Sequence, residues 1–111
     1  LTGLILQHIR PATEAVTSSI VMRSCQNVSV VGVQVLGARG RGIALENCQV
    51  VRIADSTIRG TPDDKNYRAA ITVDGQCAYL MVVNNFLGRG SEGAFDLPRE
   101  RGTASGNVML G

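Results

Sequence analysis

The sequence contains no tryptophan, only two tyrosines and two phenylalanines, and a single histidine. A core without aromatic bulk must be filled by aliphatic side chains, and little imidazole or ring chemistry is on offer. Basic residues outnumber acidic ones by only two, for a net charge of +2. That excludes the basic stripe a phosphate backbone calls for, so no nucleic-acid partner is expected. No apolar run approaches the roughly 20 residues that span a bilayer, so no membrane partner is expected either. Cys-x-x-Cys is missing, and with it the usual zinc signature, so no metal ligand set is assigned. The chain opens at Leu1 rather than methionine, and nothing follows about a targeting segment. At 111 residues it amounts to one domain at most.

What is present is a set of short β-branched runs. Gly42 to Gly60, GIALENCQVVRIADSTIRG, holds three of them, Ile43 to Leu45, Val50 to Ile53 and Thr57-Ile58, each closed by small or polar residues. Runs this short and this rich in valine and isoleucine predict strands. The pattern is written three times. Cys25-x-x-Val28-x-Val30, Cys48-x-x-Val51-x-Ile53 and Cys77-x-x-Leu80-x-Val82 recur at separations of 23 and 29 residues. An aliphatic residue follows each cysteine by ten positions (Val35, Ile58, Leu87), and an apolar strand precedes each one (Ile20 to Met22, Ile43 to Leu45, Ile71 to Val73). A fourth copy of that preceding strand is expected at Ala94 to Leu97, and Leu4-Ile5-Leu6 aligns with Val33-Gln34-Val35. Self-similarity at such a period marks a stacked repeat architecture. Leucine-rich repeats share the period, but their leucine spacing and asparagine are absent. Three β-runs per period predict an all-β fold, a right-handed parallel β-helix of about four rungs.

GIALENCQVVRIADSTIRG and AAITVDGQCAYLMVVNNFLG resemble consecutive repeats of the pectate-lyase-like β-helix superfamily, which includes polysaccharide lyases, glycosidases, epimerases and phage tailspikes. The resemblance covers roughly Leu4 to Leu110. It implies a polysaccharide partner held along an outer sheet, and an extracellular, virion or cell-surface setting. The strongest catalytic motifs of known branches are missing: there is no Gly-His-Gly or Arg-Ile-Lys as in polygalacturonases and no Asp-Pro-His-Asp as in alginate epimerases.

Neither end of the sequence shows a capping helix or a polar terminal rung. The expectation is therefore that the ends are uncapped and meet further β-helix rungs of a longer chain or other subunits, a trimer among the options. The three registered cysteines predict an inward thiol stack, since buried cysteine behaves as a small hydrophobe. Six extra residues between the second and third copies fall on Thr61 to Arg68, a loop whose Asp63, Asp64, Lys65, Tyr67 and Arg68 offer charge and a stacking ring to a ligand, or simply solvate the loop. His8 is expected to be a turn or edge residue, with a general base near neutral pH as the alternative, and Pro11 is expected in the same loop. Asn84, aligned with Asp55 and Gly32, is expected to be the corner ladder residue.

Strand alternation supplies the candidate catalytic group. It places Arg23, Glu46 and Asp74 in one outward column, with Asp96 nearby as a substrate-binding residue. Two carboxylates about 5 Å apart repel, so one should titrate high, share a cation or pair with the arginine. That spacing suits the two carboxyl groups of a retaining glycosidase. In a lyase, the resemblance implies instead that such a cluster holds calcium; no other cofactor is implied. Against both stands the plain alternative of a charged outer sheet face of small energetic value. Two functions follow: a carbohydrate-binding or polysaccharide-processing module, or a non-catalytic structural or adhesion module.

Overall fold

The computed structural model describes residues 5–7, 18–38, 40–60, 66–95, 97 and 99–110, and of residues 5–7 and 99 the backbone alone. His8, Pro11, Asp63, Asp64, Lys65 and Asp96 lie outside the described residues. Among the described residues twelve strands follow one another: β1 (Ile5–Gln7), β2 (Ser18–Arg23), β3 (Gln26–Val31), β4 (Gln34–Ala38), β5 (Arg41–Glu46), β6 (Gln49–Ala54), β7 (Thr57–Gly60), β8 (Ala69–Val73), β9 (Ala78–Val83), β10 (Phe86–Gly88), β11 (Gly102–Ser105) and β12 (Val108–Leu110). A single 3-10 turn spans Arg99–Arg101, and no α-helix occurs among the described residues.

The strands form three parallel sheets, named A (β3, β6, β9, β11), B (β1, β4, β7, β10, β12) and C (β2, β5, β8). Up to β10, successive strands rotate through the sheets in turn. The registers are those the repeats predict. Ile20 pairs with Ile43 and Ile43 with Ile71, Val28 with Val51 and Val51 with Leu80, Val35 with Ile58 and Ile58 with Leu87. β1 pairs with β4 through Ile5–Gln34 and Leu6–Val35, the alignment read from the sequence. These columns converge on one core drawn from all three sheets, including Val30, Val35, Ile43, Ile53, Ile58, Ile71 and Leu87. Each such side chain, removed from water, contributes about 1.5–3 kcal/mol.

The thiol stack is present. Cys48 and Cys77 are fully buried and Cys25 is half-buried, and all three are free. The Cys48 N–H donates to Cys77 Sγ at 3.4 Å, so the column is tied laterally without a disulfide.

Three features correct the sequence reading. The corner ladder runs one residue later than Asn84. Val33 N–H donates to Ser56 Oγ (3.1 Å), Ser56 N–H to Asn85 Oδ1 (2.9 Å) and Asn85 N–H to Asn107 Oδ1 (3.0 Å), while the Asn85 amide donates to the Ile53 carbonyl at 3.1 Å. Asn84 itself is exposed and supplies the left-handed bend at φ 57°, as Gly32, Asp55 and Gly106 do in their repeats. The fourth copy does not form a strand at its described residues Ala94, Phe95 and Leu97. The turn Gly90 to Gly93, closed by reciprocal backbone bonds, redirects the chain, and the Ala94 carbonyl alone accepts from Ala70 and Ile71. Phe95 and Leu97 still pack partly against the core. Finally, the six extra residues are split. Ile20 to Ile43 spans 23 positions and Ile43 to Ile71 spans 28, so five precede β8. The sixth lies in the turn from Asp74 to Cys77.

Candidate functional site

Sheet C turns its outer face to solvent. Its central outward column is Val21, Ala44 and Thr72, in register on three strands. Small side chains here make a floor, and charged residues rise at both strand ends. The result is an open groove of ≈ 600 Å³, with a recess of ≈ 340 Å³ beside Thr72, Asp74, Gly75, Phe95 and Arg101.

At one end Arg23 lies beside Glu46 in register, and its Nε donates to Glu46 Oε2 at 2.5 Å. Asp74 lines the same groove, but its carboxylate is turned into the chain. Both oxygens accept the Asn47 N–H at 3.1 Å, and Oδ1 also accepts from the Gln76 N–H (3.0 Å) and the Cys77 thiol (3.3 Å). The Asn47 N–H, with smaller help from Gln76 and Cys77, holds the Asp74 carboxyl below its ordinary range. The thiol in turn is pushed up, first by burial. The expected column is therefore assembled in part: Arg23 and Glu46 touch, and Asp74 is engaged by the turn. A general acid needs a raised carboxyl; Asp74 is shifted the other way.

The opposite end, about 16 Å away along the strand, is built by residues that alternation misses. Arg41 shares the parity of inward Ile43 and Leu45, which points it at the core. The corner at Gly42 reverses this. A Cβ on Gly42 would lie 2.2 Å from Ile58 Cγ2 and 2.5 Å from the Ala70 carbonyl oxygen, so Gly42 itself takes the inward position and Arg41 swings out. Its Nη2 lies 3.5 Å from Glu92 Oε1, and Arg68 Nε approaches Glu92 Oε2 at 4.0 Å. Glu92 rides on the Gly90 to Gly93 turn, whose Ser91 and Glu92 N–H groups donate to the Tyr67 and Arg68 carbonyls. Gly-Arg-Gly-Ser-Glu-Gly reads as a turn in sequence, but nothing local says which carbonyls anchor it.

Of the expected loop residues, Arg68 is exposed and reaches the groove through Glu92. Tyr67 is a correction. It is 5% exposed, packs into the core, and its hydroxyl donates to the Gly88 carbonyl at 2.7 Å. Burial raises its phenol, and its ring is unavailable for stacking on a ligand. The ring fills the space left by Gly60, where a Cβ would lie 2.4 Å from Tyr67 Cγ. Asp63, Asp64, Lys65 and Asp96 are outside the described residues. Calcium does not fit the groups described: Asp74 is bound by backbone donors, Glu46 by Arg23, and no metal-holding cluster of three His, Cys, Asp or Glu occurs among the described residues.

Compared with family models, curated proteins and solved structures, the chain finds no match in any of the three.

Proposed function

We propose that the three sheets are the faces of a right-handed parallel β-helix, and that the groove on sheet C binds an extended, uncharged polysaccharide without cleaving it. The pairing of each strand from β1 to β7 with the strand three places on supports the first part, together with the strong preference of parallel crossovers for the right hand. The resemblance to pectate-lyase-like repeats supports the sugar ligand.

The observation that carries the choice of ligand is the charge balance of the groove. Three guanidinium groups line the groove and its recess (Arg23, Arg41 and Arg101) with three carboxylates (Glu46, Asp74, Glu92), and each carboxylate already has donors. A polyanion would meet as much repulsion as attraction. A neutral chain of hydroxyls can insert its own hydrogen bonds among these groups over a small-residue floor. Binding is favoured over cleavage because both candidate carboxylates are already engaged, Asp74 by the Asn47 and Gln76 N–H groups and Glu46 by Arg23. A glycan array followed by calorimetric titration tests this. Neutral glycans should bind, uronate-rich ones should not, and Glu46→Gln or Glu92→Gln should weaken binding. No glycan signal, or a preference for uronates, overturns the reading.

The structural or adhesion reading is favoured by a different observation, the apolar outer face of sheet A.

A further inference from the structure

Sheet A carries its exposed apolar groups on adjacent strands. Register stacks Ser29, Arg52, Met81 and Thr103 in one outward column, and Val50 and Tyr79 lie two residues before Arg52 and Met81. Val50 is 51% exposed, Tyr79 74% and Met81 46%. Tyrosine, methionine and arginine are the residues enriched at the centres of protein interfaces. Val50 and Tyr79 are also held in the left-handed region, at φ 58° and 57°, where their repeat mate Asn27 sits at 58°. Asparagine tolerates that region. A β-branched or aromatic residue there costs about 1–2 kcal/mol, and an outlier of this kind motivates a functional reading. Burial in the core cannot be what offsets the cost, because both side chains face solvent.

We propose that this face is a self-association surface that packs against the same face of a second copy of the chain. The charges select that occupant. Arg52 and Asp55, three residues apart on one strand and its corner, are both exposed, and neither has an ionic partner among the described residues. A face presenting an apolar block with one unpaired charge of each sign is complementary to itself, which is what a two-fold interface requires. A single-sign partner would leave one of the two unanswered. Four strands about 4.8 Å apart and some 20 Å long give a face on the order of 400 Å². Two such faces total about 800 Å², less than the roughly 1,200 Å² at which standard interfaces begin, so the dimer is weak, transient and concentration-dependent.

Sedimentation velocity from low micromolar to submillimolar concentration reads the outcome, with circular dichroism confirming that each variant is folded. The native chain should pass from monomer to dimer across this range, and the Tyr79→Ser/Met81→Ser variant should remain a monomer. Arg52→Glu and Asp55→Arg should each weaken association by about tenfold, or 1.4 kcal/mol, and their combination should restore it. A native chain monomeric at every concentration overturns the proposal, as does a Tyr79→Ser/Met81→Ser variant that associates normally. A double charge reversal no tighter than the single ones overturns the second copy as the occupant. The glycan reading stands or falls separately, since none of these residues lines the groove on sheet C.

Discussion

Asn85 Oδ1 accepts the backbone N–H of Ser56 at 2.9 Å, joining two repeats through a side chain at the corner between sheets A and B. The same amide donates to the Ile53 carbonyl, so one buried residue satisfies backbone groups on the strand pair below it. Asn85→Ala should therefore destabilise the fold by about 2–4 kcal/mol, because the Ser56 N–H and Ile53 carbonyl are left buried and unpaired. Asn84→Gly, one position away, should be neutral or slightly stabilising, since glycine occupies the left-handed region freely. Urea melts of the two variants measure the contrast; equal effects would mean the corner is held by something other than the amide.

Tyr67 and Gly60 should behave as a unit. Tyr67→Phe should cost about 1–2 kcal/mol, the loss of one buried hydrogen bond to the Gly88 carbonyl. Gly60→Ala should cost about 1–3 kcal/mol, because the added carbon meets the ring. Thermal denaturation of both variants checks the sizes, and an undiminished midpoint in Gly60→Ala would show that the ring can move aside.

Asp74 makes the acid limb of stability steeper. Its folded carboxyl titrates below the ordinary 3.8, so its contribution is fully present above that value and is lost as pH falls through the lower, folded one. Stability measured between about pH 5 and pH 2 should fall less steeply in Asp74→Asn than in the native chain. A parallel pair of curves would remove the Asn47 and Gln76 bonds as the cause.

Val50→Asn should stabilise the isolated chain by up to about 1 kcal/mol by relieving the left-handed backbone, while weakening self-association. Chemical denaturation at low concentration isolates the first effect. A loss of stability would mean that valine makes contacts worth more than its strain.

The three thiols should differ in reactivity. Cys25, half-buried, should react with an aromatic disulfide reagent in the folded protein, whereas Cys48 and Cys77 should react only on unfolding. Counting released chromophore before and after denaturant tests this, and fast reaction of all three would show that the stack opens.

The sequence made the registers legible because each repeat buries the same kinds of side chain at the same positions: Ile20, Ile43 and Ile71 could be aligned by eye. It did not distinguish Asn84 from Asn85, because both residues suit a corner and only the backbone angle decides which bends and which bonds inward. Arg41 was hidden by a rule that otherwise works, strand alternation, which fails where Gly42 brings two consecutive residues to the core. Tyr67 looked like a loop residue because its neighbours are charged; the cavity that claims it is made by a glycine seven positions earlier. Glu92 could not have been found locally, since the carbonyls that fix its turn belong to Tyr67 and Arg68.

The turn from Asp74 to Cys77 is one residue longer than its counterparts, yet Leu80 still pairs with Val51 and Val82 with Ile53 beyond it. Chain length at this corner is thus uncoupled from alignment on either side. Gly75 and Gln76 are exposed, and a Cβ on Gly75 would meet nothing closer than an Arg101 nitrogen at 4.0 Å. A foreign peptide spliced between them would be displayed at the rim of the groove while the strands kept their partners. The scaffold carries a ready grafting point beside the groove on sheet C.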